Sequence, residues 1–198
     1  MKHWDGIMHL RRLACAALLA TMVAVLSITP ASLAAEQFRD ENLLMPLPTG
    51  YSVAYQRRER KIQITEWVPL GQNLNNWTEM VTRQVFFGRR KANIRSFQRR
   101  MSAVMSRFCQ PFEDTVVSDK LEHGYPSLYW TAFCGNSKTG KPEIVFVKAI
   151  SGNDSMYVVQ KAFKFHPSKA QITKWSRFLA QVMVCDSRLP DRTCPRVK

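Results

Sequence analysis

Four consecutive segments rich in β-branched and aromatic residues constrain the fold more than any other feature of the chain. They are TVVSDKLEHG, YPSLYWTAFCG, EIVFVKAISG and SMYVVQKAFKF, which together cover most of residues 115–165. Such composition is typical of β-strands, and short turn signals separate the segments. The tripeptide GND at 152–154 predicts that the last two segments form a hairpin. Strands joined by short turns favour an antiparallel sheet.

Further periodic patterns precede this region. The runs YSVAYQRR and KIQITEWVP predict a hairpin over residues 51–69. From residue 73 the apolar spacing changes, because Trp77, Val81 and Val85 recur every four residues, which predicts a helix that ends at Gly88.

Two more helices are predicted from apolar stripes. The first follows at once, and its stripe consists of Phe97, Met101, Val104, Met105 and Phe108. The second begins after Ser168, which forms a capping box with Gln171. Its buried face is predicted to be Ile172, Trp175, Leu179, Val182 and Met183. The element order therefore predicts the α+β class, with an antiparallel sheet of about six strands packed with about three helices.

This order of elements, together with the phrase EWVPLGQNLNNWTEMVTRQ, resembles the PsbP-like fold and small uncharacterised exported bacterial proteins. The PsbP-like fold is an antiparallel sheet sandwiched between helices, found in photosynthetic accessory subunits and in bacterial envelope proteins. The resemblance implies a similar sandwich and a mostly non-enzymatic role. It assigns no functional residue.

The first 35 residues have the layout of a secretory signal peptide. Basic residues Lys2, Arg11 and Arg12 precede an apolar run, and small residues then offer cleavage after Ala34 or Ala35. Residues 1–35 are therefore predicted to be a signal peptide, and 36–198 a single α+β domain. The chain has 29 basic and 15 acidic residues. Residues 1–35 hold three of the basic residues and one of the acidic residues, which leaves 26 basic and 14 acidic residues and a net charge of about +12. We expect a cationic protein in the periplasm or outside the cell, without a transmembrane helix.

The mature chain keeps four cysteines, an even number that suits an oxidising compartment. Four cysteines allow three pairings. We predict Cys109 with Cys134, which ties a helix end to a strand, and Cys185 with Cys194, which closes a short C-terminal loop. Their spacings differ from those of structural zinc sites, so neither a metal nor another cofactor is expected.

A basic segment without acidic residues lies between Glu79 and Glu113. It can be the polar face of an ordinary amphipathic helix, or a binding surface for phosphate-bearing partners, which arginine forks suit. Same-sign neighbours repel on a helix, which argues against a face that serves only solubility and keeps both interpretations open. The predicted anion-binding residues are Arg89, Arg90, Lys91, Arg95, Arg99 and Arg100.

Catalytic signatures are scarce, since no nucleophile elbow, Walker loop or dinucleotide motif occurs. The two mature histidines, His123 and His166, together with Lys164 or Lys161, could serve a ribonuclease-like reaction if they converge.

An exported non-enzymatic binding or accessory protein of the bacterial envelope is the preferred hypothesis. Its expected partner is an anionic envelope component or an acidic protein, with nucleic acid or a membrane surface as further options. A secreted basic ribonuclease and an inhibitor of an acidic protein are the alternatives.

Overall fold

The structure, a computed structural model, describes residues 38–137 and 140–195. In chain order the elements are β1 (Glu41–Leu44), β2 (Tyr51–Arg58), β3 (Ile62–Pro69), β4 (Glu79–Phe87), α1 (Ile94–Met105), β5 (Phe112–Glu122), β6 (Tyr125–Cys134), β7 (Glu143–Ser151), β8 (Ser155–Phe163), α2 (Lys169–Ala180) and β9 (Met183–Asp186). The predicted signal peptide, residues 1–35, lies outside the described residues. The α+β class is confirmed.

Seven of these strands form one antiparallel sheet in the order β2-β3-β4-β8-β7-β6-β5, and β1 pairs with β9 in a separate two-stranded sheet. The predicted hairpin over residues 51–69 is confirmed as β2–β3, and the four predicted strands of the 115–165 region are confirmed as β5 to β8. The described residues contain two α-helices, not the three predicted.

The helix predicted over residues 73–88 is wrong, because this segment forms a turn and then strand β4. Val81 and Val85 share one face of a strand as well as one face of a helix, since four is a multiple of the strand period. Val81 is fully buried there, opposite Lys161 of β8. Trp77 lies in the preceding turn, where Gln72 donates to the hydroxyl of Thr78 at 3.0 Å.

The two helices pack on opposite faces of the seven-stranded sheet. Along β7, Val145 and Val147 belong to the core on the α1 side, whereas Phe146 belongs to the core on the α2 side. This alternation follows from the two-residue period of a strand. Trp130 of β6 is fully buried on the α1 side, and Trp175 of α2 is buried on the other.

The predicted apolar stripe of α1 is only partly buried. Phe97, Met101 and Met105 pack against the core, but the side chains of Val104 and Phe108 are 53% and 51% exposed. The prediction is wrong for these two residues because the helix ends at Met105, and because Val104 lies on the flank of the helix.

Helix α2 has the predicted capping box between Ser168 and Gln171. Trp175 and Leu179 are buried as predicted, whereas Ile172 is 40% exposed. The predicted apolar face continues past the end of the helix, because Val182 is buried beyond Ala180 and Met183 begins β9.

Both predicted disulfides are confirmed. Cys109 pairs with Cys134, and Cys185 pairs with Cys194, with Cα–Cα distances of 5.0 and 4.9 Å. The second bridge secures β9, which pairs with β1. The carboxylate of Glu41 in β1 accepts hydrogen bonds from three consecutive backbone N–H groups of the β7–β8 turn, at 153–155, and from the hydroxyl of Tyr157. Strand β1 is therefore anchored both by its pairing with β9 and by the side chain of Glu41.

One lysine is fully buried on the α2 side of the sheet. Nζ of Lys161 donates to Glu79 at 2.6 Å and to the hydroxyl of Tyr51 at 2.7 Å, and it lies 3.9 Å from the ring centroid of Trp175. Burial, offset in part by Glu79, lowers the pKa of Lys161 to about 8. Burial acts to raise the pKa of Glu79, but the hydrogen bonds from Lys161 and Tyr51 hold it below its ordinary value. Charge pairing and aromatic contact together permit a cation in the core.

Candidate anion-binding site

The connection from β4 to α1 shapes the candidate site. Gly88 follows β4 with a φ of +70°, a conformation that glycine adopts without strain. The backbone N–H of Lys91 then donates to the carbonyl of Gly152 at 3.0 Å, which holds the loop against the β7–β8 turn. The side chain of Asn93 caps α1 by accepting from the N–H of Ser96 at 2.8 Å. The loop is thereby fixed at both ends.

This connection borders a cleft of about 620 Å³. Its apolar part includes Phe86, Phe97 and Met156, and the rings of Phe86 and Phe97 meet edge to face at 5.8 Å. Its basic part consists of Arg89, Arg90 and Arg100. The remaining lining residues are Gly88, Ala92, Asn93 and Ser96. The cleft is therefore lined by apolar side chains together with three arginines.

None of these three arginines forms an ion pair with a carboxylate of residues 38–137 or 140–195. Helix α1 also has no acidic residue in its first turn, where a carboxylate would offset the positive end of the helix dipole. Three guanidinium groups thus converge on one concavity without a compensating carboxylate in the described part of the chain. This arrangement suits an anionic group such as a phosphate, which accepts several charge-assisted hydrogen bonds.

The other predicted anion-binding residues do not line the cleft. Arg95 forms a salt bridge with Asp119 of β5 at 2.6 Å, which ties α1 to the sheet. Arg99 donates to the hydroxyl of Ser96 at 3.0 Å and is exposed. Lys91 has a φ of +45° and contributes its backbone to the loop. The predicted set therefore divides into cleft residues and residues with local structural contacts.

Arg83, in the same basic run, lies on the α2 side of the sheet. Its Nη2 donates to the hydroxyl of Thr65 at 3.1 Å, and its guanidinium lies 5.5 Å from the ring centroid of Trp67. Burial lowers the pKa of Arg83. This arginine belongs to the packing of the β3–β4 pair and not to the cleft.

Additional bases, not predicted as site residues, reach the same edge of the sheet through the β2–β3 hairpin. The N–H of Phe87 donates to the carbonyl of Lys61 at 3.0 Å, which places the hairpin tip beside the end of β4. The guanidinium of Arg58 lies 4.8 Å from the ring centroid of Phe87. The one acidic residue of the tip, Glu59, pairs with Arg57 at 2.6 Å. We call the basic residues around this end of β4 the basic edge; it comprises Arg58, Arg60, Lys61, Arg89, Arg90 and Arg100. Arg58 lies on the α2 face of the sheet, whereas the cleft with Arg89, Arg90 and Arg100 lies on the α1 face.

The two histidines lie at opposite ends of strand β6. His123 is in the β5–β6 turn just before Tyr125, whereas the ring of His166 lies 5.8 Å from that of Phe133. Eight residue steps separate Tyr125 from Phe133, which corresponds to about 26 Å along a strand. Lys164 contacts the ring of Trp77 at 3.8 Å. The structure does not bring the two histidines into one pocket, as the ribonuclease alternative requires.

The described residues contain no group of three or more His, Cys, Asp or Glu side chains that could hold a metal ion. The four mature cysteines are consumed by the two disulfides and so are not zinc ligands. None of the described helices is both long and apolar enough to cross a membrane.

No protein-family model and no curated protein matches the chain. Among solved structures, the chain is similar to a mutant of the protein Mog1, with 11% identity and a TM-score of 0.41 over 68% of this chain and 78% of that one. It is also similar to the Saccharomyces cerevisiae Ran-binding protein Mog1p, with 11% identity and a TM-score of 0.41 over 71% of this chain and 84% of that one. Neither similarity defines a family for this chain, and the PsbP-like layout stays a prediction.

Proposed function

We propose that this protein is an exported, non-enzymatic binding or accessory protein of the bacterial cell envelope, whose basic edge binds an anionic partner. The observation that carries the proposal is the convergence of Arg89, Arg90 and Arg100 on one cleft without a carboxylate partner in residues 38–137 and 140–195. Arginines that serve only solubility are usually interspersed with acids, as Arg57 and Glu59 are here.

Two features support the other parts of the proposal. The two disulfides suit an oxidising compartment such as the periplasm. The separation of His123 from His166 leaves the ribonuclease alternative without a two-histidine centre. A binding role therefore agrees best with the geometry.

Binding to inorganic polyphosphate, measured by calorimetry between 50 and 200 mM salt, tests this proposal. Each base that contacts a polyanion contributes about 0.7–0.9 to the slope of log K against log salt. We expect the variant R89Q/R90Q/R100Q to reduce that slope by about 2 to 3 and to weaken binding most strongly at low salt.

The matched control is K169Q/K174Q/R177Q. It removes the same charge from exposed positions of α2, on the opposite face of the sheet. The control should retain the wild-type slope. Equal losses in the two variants would show that only net charge matters, and would refute the proposed site. Cleavage of RNA by the purified protein would instead favour the enzymatic alternative.

A further inference from the structure

The exposed flank of α1 combines positive charge with apolar surface. Val104 and Phe108 follow Arg100 by four and eight residues, and both are more than half exposed. Val104 lies one helical turn from Arg100, and Phe108 lies just beyond the end of α1. Arg99 and Arg107 are exposed beside them. Val104 and Phe108 therefore lie toward the C-terminal end of α1 from Arg100, which lines the cleft. We call this part of α1, with Arg100, Val104 and Phe108, the exposed flank.

The chain segment that carries this apolar pair has charge of one sign. Residues 80–112 contain no aspartate or glutamate. Arg95 is held by Asp119 of β5, but within residues 38–137 and 140–195 no carboxylate forms an ion pair with Arg99, Arg100 or Arg107. The surface thus presents several guanidinium groups next to two hydrocarbon side chains.

We propose that this flank and the adjoining cleft dock on an anionic lipid bilayer, with Arg89, Arg90 and Arg100 at lipid phosphates and with Val104 and Phe108 at the boundary between headgroups and acyl chains. This inference rests on the proposed anion-binding function and names its partner. Interfacial helices combine basic residues with apolar side chains that enter this boundary. Each base near an anionic membrane strengthens binding by about 1 kcal/mol, or roughly fivefold.

The apolar pair favours a bilayer over a soluble polyanion. A nucleic acid could stack a base on Phe108, but it offers no continuous hydrocarbon layer that both side chains could enter. At a bilayer, both side chains leave water together. Transfer of two half-exposed side chains of this size strengthens binding by about tenfold. The cleft, at about 620 Å³, also has room for a phosphate-bearing headgroup.

Co-sedimentation with vesicles of phosphatidylglycerol and phosphatidylcholine, and with vesicles of phosphatidylcholine alone, tests the inference. We expect binding only to the anionic vesicles. The variant V104S/F108S should weaken it about tenfold and leave polyphosphate affinity unchanged, whereas R100Q should weaken both. A urea unfolding transition like that of the wild type shows that V104S/F108S is folded, and V104S alone, which leaves the neighbour of Cys109 intact, should show a smaller loss of vesicle binding.

The matched control is V117S/L121S, which removes apolar side chains that are 56% and 69% exposed on β5. It should bind anionic vesicles as the wild type does. Equal losses in V104S/F108S and the control would overturn the inference. Binding to polyphosphate without binding to vesicles would also overturn it, while leaving the anion-binding function intact. Failure to bind either probe would overturn both.

Discussion

Replacing either partner of the buried Lys161–Glu79 pair should destabilise the protein, but to different extents. In E79Q, the cation of Lys161 stays fully buried and keeps only neutral partners, among them the hydroxyl of Tyr51. In K161M, the carboxylate of Glu79 is 18% exposed and can still accept from Tyr51 and from water. The two variants therefore leave different charges behind.

The expected costs follow from this asymmetry. Breaking a buried ion pair by removal of one partner costs about 3–5 kcal/mol. At pH 7 the cost for E79Q is limited, because Lys161 can lose its proton instead; from a pKa of about 8 in the folded wild type, this adds about 1.4 kcal/mol to the cost of the hydrogen bonds lost with Glu79. For K161M we expect about 1–2 kcal/mol, since hydrogen bonds are lost but no charge is left buried without a partner.

The same pair predicts a dependence of stability on pH. Burial lowers the pKa of Lys161 to about 8, so the folded protein loses this proton before the unfolded chain does, whose lysine has an ordinary pKa of 10.5. Between pH 8 and 10 the unfolded state binds more protons, and the free energy of unfolding therefore rises, by about 2–3 kcal/mol. Above about pH 10 the effect ends, because the lysine of the unfolded chain also loses its proton. Burial and Glu79 raise the pKa of Tyr51 in the folded state, so that this group lowers the free energy of unfolding as the pH rises further.

Urea unfolding of the wild type, K161M and E79Q at pH 7, 8, 9 and 10 measures both effects, with K169M as the control at an exposed lysine. The wild type and K169M should gain stability between pH 8 and 10, and K161M should not. The reasoning fails if K161M keeps this gain, or if K161M is destabilised at pH 7 as strongly as E79Q.

Two other contacts give separate predictions for stability. Under the loop-entropy relation, loss of the bridge Cys109–Cys134 as a Cys→Ser pair should cost about 3.5 kcal/mol, against about 2.7 kcal/mol for Cys185–Cys194, because the first closes the longer loop. Urea unfolding of the two variants would contradict this account if the order of the costs were reversed. The substitution Glu41→Ala removes the acceptor of three backbone N–H groups and should cost about 2–3 kcal/mol. Hydrogen exchange should accelerate at the amides of residues 153–155, and unchanged protection there would argue against the anchoring role of β1.

The parts of the fold that the sequence predicted correctly depend on local signals. Alternation and turn residues identified the β2–β3 hairpin, and side-chain chemistry identified the cap at Ser168. The error at β4 has a physical cause, because a spacing of four residues satisfies both the helix and the strand period. Strand β1 could not be predicted, since its stability comes from β9, more than 130 residues later.

The candidate site was predictable only in part. The run without acidic residues pointed to Arg89, Arg90 and Arg100. The same run contains Arg95, which pairs with Asp119 of β5. This ion pair could not be predicted, because only the folded sheet brings β5 close to α1. The β2–β3 hairpin adds basic residues beside the end of β4 only because of the register between β3 and β4, which the sequence does not specify. The exposure of Val104 likewise depends on where α1 meets the sheet.

The order of the disulfides along the chain affects how the protein can be oxidised. Each bridge joins cysteines that follow one another among the four, Cys109 to Cys134 and then Cys185 to Cys194. If the chain emerges into an oxidising compartment from its N-terminal end, Cys109 meets Cys134 before Cys185 has arrived. In that case, stepwise oxidation in chain order would yield the native pairs directly, without a need for disulfide isomerisation.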